Sequence, residues 1–402
     1  MAKNYRCPGC NATLEFLPGE GKMHCSYCGK SYTTKEIEAL EKGTGEVKES
    51  KPVKMKPGTM QVQIARCSSC GAELAVNDVE VSSFCAYCGQ ATVVLDRVDE
   101  YLKPDYIIPF KVTKEEAEET IRSRIASGFY VPDEIKNFEV EKLRGIYVPF
   151  WLYDILYGDE QFWRYTVKRG KYTSTRYSHR VADCHYFKLT ADASKKLNDA
   201  SSQRLEPYDM EELEYFQPMY LSGFYADRYD MKKEETEGVA VARAKEMFNE
   251  SMKETVRRSA TMVSSSPVYE VTGAEYGLLP AWFLTFRQGD VPYTILVNGQ
   301  TKKMVGAVPC VKWKAALTFI ILALISCTLL VPLCGFLLCF AMDFCRGAEN
   351  LWQIVLGIVL GGFALFTFVW GSAIKKVIGY MESMKLTRSG VTSQFVGERQ
   401  EK

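Results

Sequence analysis

The chain has 402 residues, which is enough for two or three domains. Its 50 basic and 49 acidic residues give a formal net charge of +1, so the chain lacks the overall basic excess that is typical of nucleic-acid-binding proteins. Of its 14 cysteines, eight stand in C-x2-C pairs, five lie between residues 310 and 345, and Cys184 stands alone.

Two similar cysteine patterns open the chain, in residues 1–40 and 60–100. Each has two C-x2-C pairs with 14 residues between them, and the second pattern lies 60 positions after the first. Such turns place four thiolates around one ion, which is the ligand set of a structural zinc site with no open position for a catalytic water. A disulfide framework is the alternative, but two copies with equal spacing favour metal. We therefore predict two zinc ribbons that bind two structural Zn2+ ions through Cys7, Cys10, Cys25, Cys28, Cys67, Cys70, Cys85 and Cys88.

A linker and a larger domain are predicted beyond the first ribbon. Residues 41–59 are charged and contain Gly and Pro, which predicts a flexible linker that lets the first ribbon swing freely. Residues 101–309 predict a mixed α+β domain on which the second ribbon packs. Thr33 with Glu36, and Thr113 with Glu116, match the capping box that opens a helix. His24, although beside a cysteine, is expected to be an ordinary hairpin residue.

An internal similarity in this domain suggests a duplicated helix-then-hairpin unit. The sequences "PFWL" at 149–152 and "PAWF" at 280–283 are related by an offset of 131. Upstream, "FKVTKEEAE" from Phe110 and "YDMKKEETE" from Tyr229 are related by an offset of 119. Chance similarity of aromatic strands is the alternative. In a duplication, Trp151 and Trp282 are core anchors in equivalent places.

Two uncharged runs near the C-terminus predict a transmembrane hairpin at residues 315–374. Residues 315–342 and 351–374 carry no charge, and about 20 apolar residues suffice to cross the hydrocarbon layer of a bilayer. Lysines flank both runs, so the positive-inside rule places both termini, including the tail at 375–402, in the cytoplasm. We therefore expect a multi-pass protein of the cell membrane, with the membrane itself as a partner.

The sequence offers little for catalysis. His179, Asp183, Cys184 and His185 are the one reactive group of residues outside the ribbons, but adjacent side chains on a strand point to opposite faces. No G-x-x-x-x-G-K-[ST] phosphate-binding motif occurs. We therefore expect no enzymatic activity, no catalytic residue, no small-molecule substrate and no cofactor besides zinc.

Several stretches resemble a group of bacterial membrane-anchored zinc-ribbon proteins. After the ribbons, the resemblance rests on "IIPFKVTKEEA", "GIYVPFWLYD", "LLPAWFL" and "VNGQTKKMVG", and it covers nearly the whole chain. Members are described as transcription-factor-II-B-type zinc ribbon proteins, or loosely as primosomal-helicase-like, and similar proteins are encoded beside phage-shock protein A in Gram-positive bacteria. The resemblance implies a membrane-stress or scaffold role and no established enzymatic activity.

The predicted function is that of a non-enzymatic, membrane-anchored adaptor that presents its cytoplasmic domain to a protein partner. Residues 1–30 have four basic residues against two acidic ones, a surplus that the negative charge of a four-thiolate zinc site roughly cancels, and residues 60–95 have one basic residue against three acidic ones. Neither ribbon is therefore the electropositive surface that nucleic-acid ribbons use to meet phosphate. Tyr27, Phe84 and Tyr87 beside the cysteines are candidate contact residues, and packing within the hairpin is the alternative role for them. The alternative function is a membrane-tethered nucleic-acid-binding zinc ribbon.

Overall fold

The computed structural model describes residues 5–43, 58–76, 85, 87, 93–126, 142–195, 204–288 and 291–306, together with single residues and pairs between 311 and 375. The chain divides into two compact units. The first takes the described residues up to Ile121 and those from 142 to Val305, and the following description concerns this unit.

The elements follow one another with strands in the majority. The first ribbon contains β1 (Glu15–Leu17), β2 (Lys22–His24), β3 (Ser31–Thr33) and α1 (Thr34–Gly43). The second ribbon contains β4 (Thr59–Cys67), β5 (Glu73–Val76) and β6 (Val93–Leu102). The remaining strands are β7 (Tyr106–Ile107), β8 (Leu143–Arg169), β9 (Tyr172–Asp192), β10 (Glu214–Tyr215), β11 (Tyr225–Ala226), β12 (Thr261–Gln288), β13 (Val291–Asn298) and β14 (Met304–Gly306). The helices between them are α2 (Lys114–Ala126), the 3-10 turns Met210–Glu212 and Pro218–Leu221, and α3 (Lys233–Glu254).

Both predicted capping boxes are confirmed, and each opens a helix. The Thr33 amide donates to a Glu36 carboxylate oxygen at 2.8 Å, and the Glu36 amide donates to the Thr33 hydroxyl at 3.2 Å. Thr113 and Glu116 make the same two bonds at 3.0 and 3.2 Å. Each box satisfies amides that have no partner within the helix, which explains why α1 and α2 begin directly after the threonines.

The second ribbon is part of the main sheet. Strands β1, β2 and β3 form a small antiparallel sheet, whereas β4, β5 and β6 belong to an 11-stranded sheet in the order β10-β7-β12-β8-β11-β5-β4-β6, with β9 beside β8 and β13 and β14 beside β12. The link is the antiparallel pairing of β11 with β5. Ribbon residues such as Leu74 therefore share a buried core with Phe150 and Phe283.

The long strands β9, β8 and β12 lie side by side in the main sheet, with α3 on one face. Alternate residues of β8 face the helix, and they include Tyr153, whose hydroxyl lies 2.8 Å from that of Thr236, and Tyr157, whose ring packs 5.1 Å from that of Phe248. The buried residues of α3 recur at every fourth position, which is the spacing that keeps one helical face on the sheet. This stripe explains why the helix packs along the strands β8 and β9.

The tryptophans of the internal similarity make equivalent, reciprocal contacts. The Trp282 indole N–H donates to the Val112 carbonyl at 2.9 Å, and the Trp151 indole N–H donates to the Met231 carbonyl at 2.8 Å. The two tryptophans are 131 positions apart and the two acceptors 119 apart, which are the offsets seen in the sequence. The tryptophan of each half thus anchors the chain just before the helix of the other half.

The strand pairings repeat with the same offsets. Val148 of β8 lies opposite Leu279 of β12, and the offset of 131 relates the same two residues. A local two-fold axis therefore passes between them. Two short parallel pairings are related in the same way: β7 joins Tyr106 to Gly277 of β12, and β11 joins Tyr225 to Ile146 of β8. The two halves therefore use equivalent strand pairings, and each half pairs with the other through β8 and β12.

The predicted fold class requires a correction. The described architecture is dominated by sheet, and among the residues that the structure describes no helix is both long and apolar enough to cross a membrane. α1 and α2 have 10 and 13 residues, and α3, with 22, carries charged residues along its length because only one of its faces is buried. Most of 315–342 and 351–374 lies outside the described residues. The finding overturns the predicted two-helix hairpin, the membrane as a partner and the multi-pass location in the cell membrane with cytoplasmic termini.

Candidate metal centres

Three of the four C-x2-C turns share one backbone arrangement. In each, the amide of the residue after the second cysteine donates to the carbonyl of the first cysteine at 2.8 Å. The residues after the second cysteine are Asn11, Gly29 and Gly71, with φ of 60°, 72° and 70°. Glycine adopts this left-handed region without steric cost and asparagine tolerates it, so the residue types follow from the turn geometry. The fourth turn lies outside the described residues, apart from Cys85 and Tyr87.

The first ribbon brings its four predicted cysteines together. All four Sγ atoms lie within 4.8 Å of one another, with 3.6 Å between Cys7 and Cys28 and 3.4 Å between Cys10 and Cys25. A tetrahedral zinc ion with bonds of about 2.3 Å holds its sulfur ligands roughly 3.8 Å apart. The thiol donors therefore fit a zinc ion, and the two sulfur separations of 3.6 and 3.4 Å lie within a few tenths of an ångström of that value.

The environment of these thiols favours thiolate at two of them. Burial raises the pKa of Cys7, but hydrogen bonds from backbone amides, led by that of Gly9, outweigh it and lower the pKa to about 6. The Cys28 amide is the main cause of the lowered pKa of Cys25. A backbone hydrogen bond lowers the pKa of Cys10, but burial and the neighbouring thiols raise it to about 12. Thiolate is the form that binds metal. A metal ion at this cluster would therefore displace the protons that the other thiols still carry.

The second ribbon gathers three of its four predicted cysteines. The Sγ atoms of Cys67, Cys70 and Cys85 lie within 4.8 Å of one another, and all three residues are buried. Cys70 and Cys85 are 3.8 Å apart, close to the sulfur separation around tetrahedral zinc. Cys88 lies outside the described residues. The described part of the chain thus contains two cysteine clusters that can hold a metal ion.

Tyr87 fastens the second centre to the main sheet. The tyrosine follows Cys85 by two positions and is only 2% exposed. Its hydroxyl donates to a carboxylate oxygen of Asp227 at 2.8 Å, and its ring meets Phe283 edge to face at 5.7 Å. Burial and the Asp227 charge raise the pKa of Tyr87 well above its usual value, so the hydroxyl keeps the proton that it donates.

Tyr27 is the counterpart of Tyr87 in the first ribbon, and it points into solvent. It stands 60 positions earlier, between the same two cysteines of its C-x2-C pair, and is 84% exposed. The residues from 26 to 31 around it are all exposed. Of the three predicted contact residues, Phe84 lies outside the described residues. One tyrosine is therefore an internal anchor and the other a surface group.

The first ribbon packs on the rest of its unit through Phe16 of β1. The Phe16 ring meets Tyr220 edge to face at 5.2 Å, and the Phe16 amide donates to the Ser222 carbonyl at 3.1 Å. The predicted free swing of this ribbon is therefore wrong, because a buried aromatic contact holds it. The predicted linker at 41–59 itself lies mostly outside the described residues.

His24 is a hairpin residue, as predicted. It lies in β2 opposite Ser31 of β3, and its Nδ1 is 3.0 Å from the Ser31 hydroxyl. The cysteine cluster of the first ribbon does not include it. The ring therefore stabilises the turn between the strands.

The structure does not bring the other reactive residues into one site. The His179 ring stacks on Phe162 at 4.5 Å and lies 2.8 Å from a Glu160 oxygen, whereas His185 packs on Phe187. Cys184 lies opposite Tyr157 across the strand pair. Each residue of the group thus has separate neighbours along β9.

The sequence reasoning missed Asp227, the buried carboxylate at the second centre. It is 2% exposed and accepts hydrogen bonds from Tyr87, from the Ser194 hydroxyl at 3.0 Å and from the Arg228 amide at 2.9 Å. Its local sequence, "YADRYD", looks like an exposed charged segment. The offset of 119 was a usable signal, because it aligns Asp227 with the fully buried Ile108.

Comparison with known proteins adds one similar sequence. The chain is 29% identical over 336 residues to the uncharacterized protein YdjG of Bacillus subtilis (strain 168), which covers 79% of this chain and 94% of that protein. No protein-family model and no solved structure matches the chain. The name of that protein states no activity.

Proposed function

We propose that the chain is a non-enzymatic adaptor, stabilised by two structural zinc ions, whose first ribbon binds a protein partner. The four-thiol cluster of that ribbon supports the zinc assignment, because four cysteine ligands complete the tetrahedral shell. A complete shell leaves no position for an activated water, so the metal stabilises the surface around it. The similarity of the two ribbons extends the assignment to Cys67, Cys70, Cys85 and Cys88.

The contrast between Tyr27 and Tyr87 is the observation that carries the adaptor role. Two repeats of one ribbon are present, and the second uses its tyrosine to dock on the sheet of its own chain, whereas the first exposes 84% of the same tyrosine. Large exposed aromatic side chains are enriched where proteins bind other proteins. The first ribbon therefore presents the docking side of the module.

The metal lowers the conformational entropy that this surface loses on binding. A zinc ion fixes both knuckles (the two C-x2-C turns) of the ribbon before a partner arrives, and the Phe16–Tyr220 contact holds the ribbon on the main unit. Less conformational entropy is then lost on association. A modest contact area around Tyr27 is sufficient for specific binding.

The test uses the full-length, zinc-loaded chain and a variant whose first ribbon cannot bind metal. Cys25→Ser with Cys28→Ser removes two ligands, so we expect the loss of about one zinc ion per chain and of the crosslinked protein partner. Cys184→Ser is the matched control, because it also removes thiol but lies outside both clusters. It is expected to keep both zinc ions and the partner.

Two outcomes contradict the proposal. Unchanged capture by the Cys25→Ser, Cys28→Ser variant would move partner binding away from the first ribbon. Tight DNA or RNA binding that weakens steeply with salt would instead support the alternative nucleic-acid function, since phosphate contacts release counterions.

A further inference from the structure

We propose that the exposed knuckle around Tyr27 recognises an aspartate or glutamate carboxylate that a partner protein presents beside an aromatic ring. This inference rests on the adaptor function and names the chemistry of its partner. The chain itself contains the precedent, in the contact that the second knuckle makes with Asp227 and Phe283.

The precedent combines one hydrogen bond with one ring contact. The Tyr87 hydroxyl donates to Asp227 at 2.8 Å, while the Phe283 ring meets the tyrosine ring edge to face at 5.7 Å. A hydrogen bond to a charged acceptor is stronger than one between neutral groups, and an edge-to-face ring pair is favourable beyond its buried area. The pocket for a tyrosine in a C-x-Y-C turn is thus a carboxylate next to an aromatic edge.

The two ribbons are equivalent enough to transfer this contact. Arg6 is bridged to Thr13 in the first ribbon, and Arg66 is paired with Glu73 at positions exactly 60 later in the second. The backbone bonds of the turns at Cys7 and Cys67 also agree, at 2.8 Å from the amide of the residue after the second cysteine. The two ribbons therefore agree in their first knuckle and its strand pairing, and Tyr27 stands at the sequence position of Tyr87, between the cysteines of the second C-x2-C pair.

No acidic side chain stands in either knuckle of the first ribbon to repel an acidic partner. Residues 5–14 and 22–32, which form both knuckles, contain Arg6, Lys22 and Lys30 and no Asp or Glu. All three cations are exposed. The thiolates of a zinc-loaded cluster contribute negative charge, but Asp227 approaches the equivalent tyrosine beside the second cluster. A carboxylate on a partner is therefore accepted at this surface.

The occupant is a partner protein of another kind and not a second copy of this chain. Asp227, the acceptor of the internal contact, is 2% exposed and already holds Tyr87, so in a second copy this acceptor is not open to Tyr27. Three cations are also few for a phosphate backbone, which needs one contact for each neutralised charge.

A peptide taken from the chain's own acceptor segment is the probe for this test. Residues 222–230, "SGFYADRYD", contain Asp227 among aromatic residues. A fluorescein-labelled copy is titrated with the full-length, zinc-loaded protein, and its anisotropy is compared with that of a copy carrying Asn in place of Asp227. We expect the Asp peptide to bind about tenfold more tightly, the effect of one hydrogen bond to a charged acceptor.

Single hydroxyl deletions then locate the binding site. Tyr27→Phe is expected to lower the affinity for the Asp peptide about tenfold and to leave the Asn peptide unchanged. Tyr172→Phe is the matched control, because Tyr172 is also 84% exposed but belongs to β9 and to neither cysteine-containing ribbon. This substitution is expected to change neither affinity.

The remaining outcomes overturn the inference. These are equal affinity of the wild-type chain for the two peptides, no binding of either, or no effect of Tyr27→Phe. A change of oligomeric state on Tyr27→Phe, measured by sedimentation, would identify a second copy as the occupant, and loss of oligonucleotide binding would identify nucleic acid. If any of these occurs while Cys25→Ser with Cys28→Ser still releases a partner, the carboxylate chemistry is wrong and the adaptor function stands.

Discussion

Removal of the Tyr87 hydroxyl tests how firmly the second metal centre is joined to the main sheet. In Tyr87→Phe the ring can keep its contact with Phe283, but Asp227 loses the donor at 2.8 Å. The carboxylate is 2% exposed, so water does not replace the lost bond, and two other donors remain to it. A hydrogen bond to a buried charged group contributes about 1.5–3 kcal/mol, and we expect the free energy of unfolding to fall by about 2 kcal/mol.

Urea denaturation of the zinc-loaded, full-length chain at fixed free zinc is the assay. With an m-value of about 3 kcal/mol/M, the expected loss lowers the midpoint by about 0.7 M. Tyr27→Phe removes the same hydroxyl from an 84% exposed side chain and is expected to change the free energy by less than about 0.5 kcal/mol. The two substitutions differ only in the tertiary environment of the tyrosine.

A double variant separates the hydrogen bond from the rest of the substitution. Asp227→Asn combined with Tyr87→Phe should cost less than the sum of the single changes, because each single change already breaks the same bond. Equal effects of Tyr87→Phe and Tyr27→Phe, or additivity in the double variant, would refute the reasoning, since both results mean that the hydroxyl at the second centre contributes nothing specific.

Three further predictions follow from other parts of the fold. Metal analysis of the purified chain should find about two zinc ions per molecule, and a value near zero under reducing, zinc-replete conditions would contradict both centres. Trp151→Phe and Trp282→Phe should each lower the free energy of unfolding by about 2–3 kcal/mol, because each leaves a backbone carbonyl without its indole donor; clearly unequal losses in urea denaturation would contradict the equivalence of the two halves. The Lys302 ammonium and the Thr113 amide lower the pKa of Glu116, so its contribution to stability is present above the ordinary glutamate pKa and is lost as the pH falls from there through the lowered pKa of the folded state. Glu116→Gln should flatten the stability–pH curve in that window, and an unchanged curve would count against the cap.

Local features of the fold were predictable because each depends on neighbouring residues. A capping box involves residues three positions apart, and both boxes formed where the sequence placed them. The C-x2-C turns require left-handed backbone directly after the second cysteine, and glycine or asparagine stands there. Such features depend on backbone geometry over a few residues, which the sequence specifies directly.

The prediction of the transmembrane hairpin was wrong, and it rested on hydropathy alone. An uncharged run shows how apolar a segment is, but it does not show that the segment forms one continuous helix of the length that a bilayer requires. Among the described residues no helix meets that requirement. Hydropathy alone therefore does not decide tertiary structure or location.

The sequence by itself determined the two cysteine sets, the starts of α1 and α2 and the offsets that relate the two halves. Only the tertiary structure decided which of two equivalent tyrosines is buried. Tyr27 and Tyr87 occupy the same position of the same turn, so no local rule distinguishes them. What distinguishes them is Asp227, 140 positions beyond Tyr87 in the chain, which the pairing of β11 with β5 brings to the second ribbon. Burial is a property of such long-range pairings, and two C-x-Y-C sequences therefore have one anchored and one exposed tyrosine.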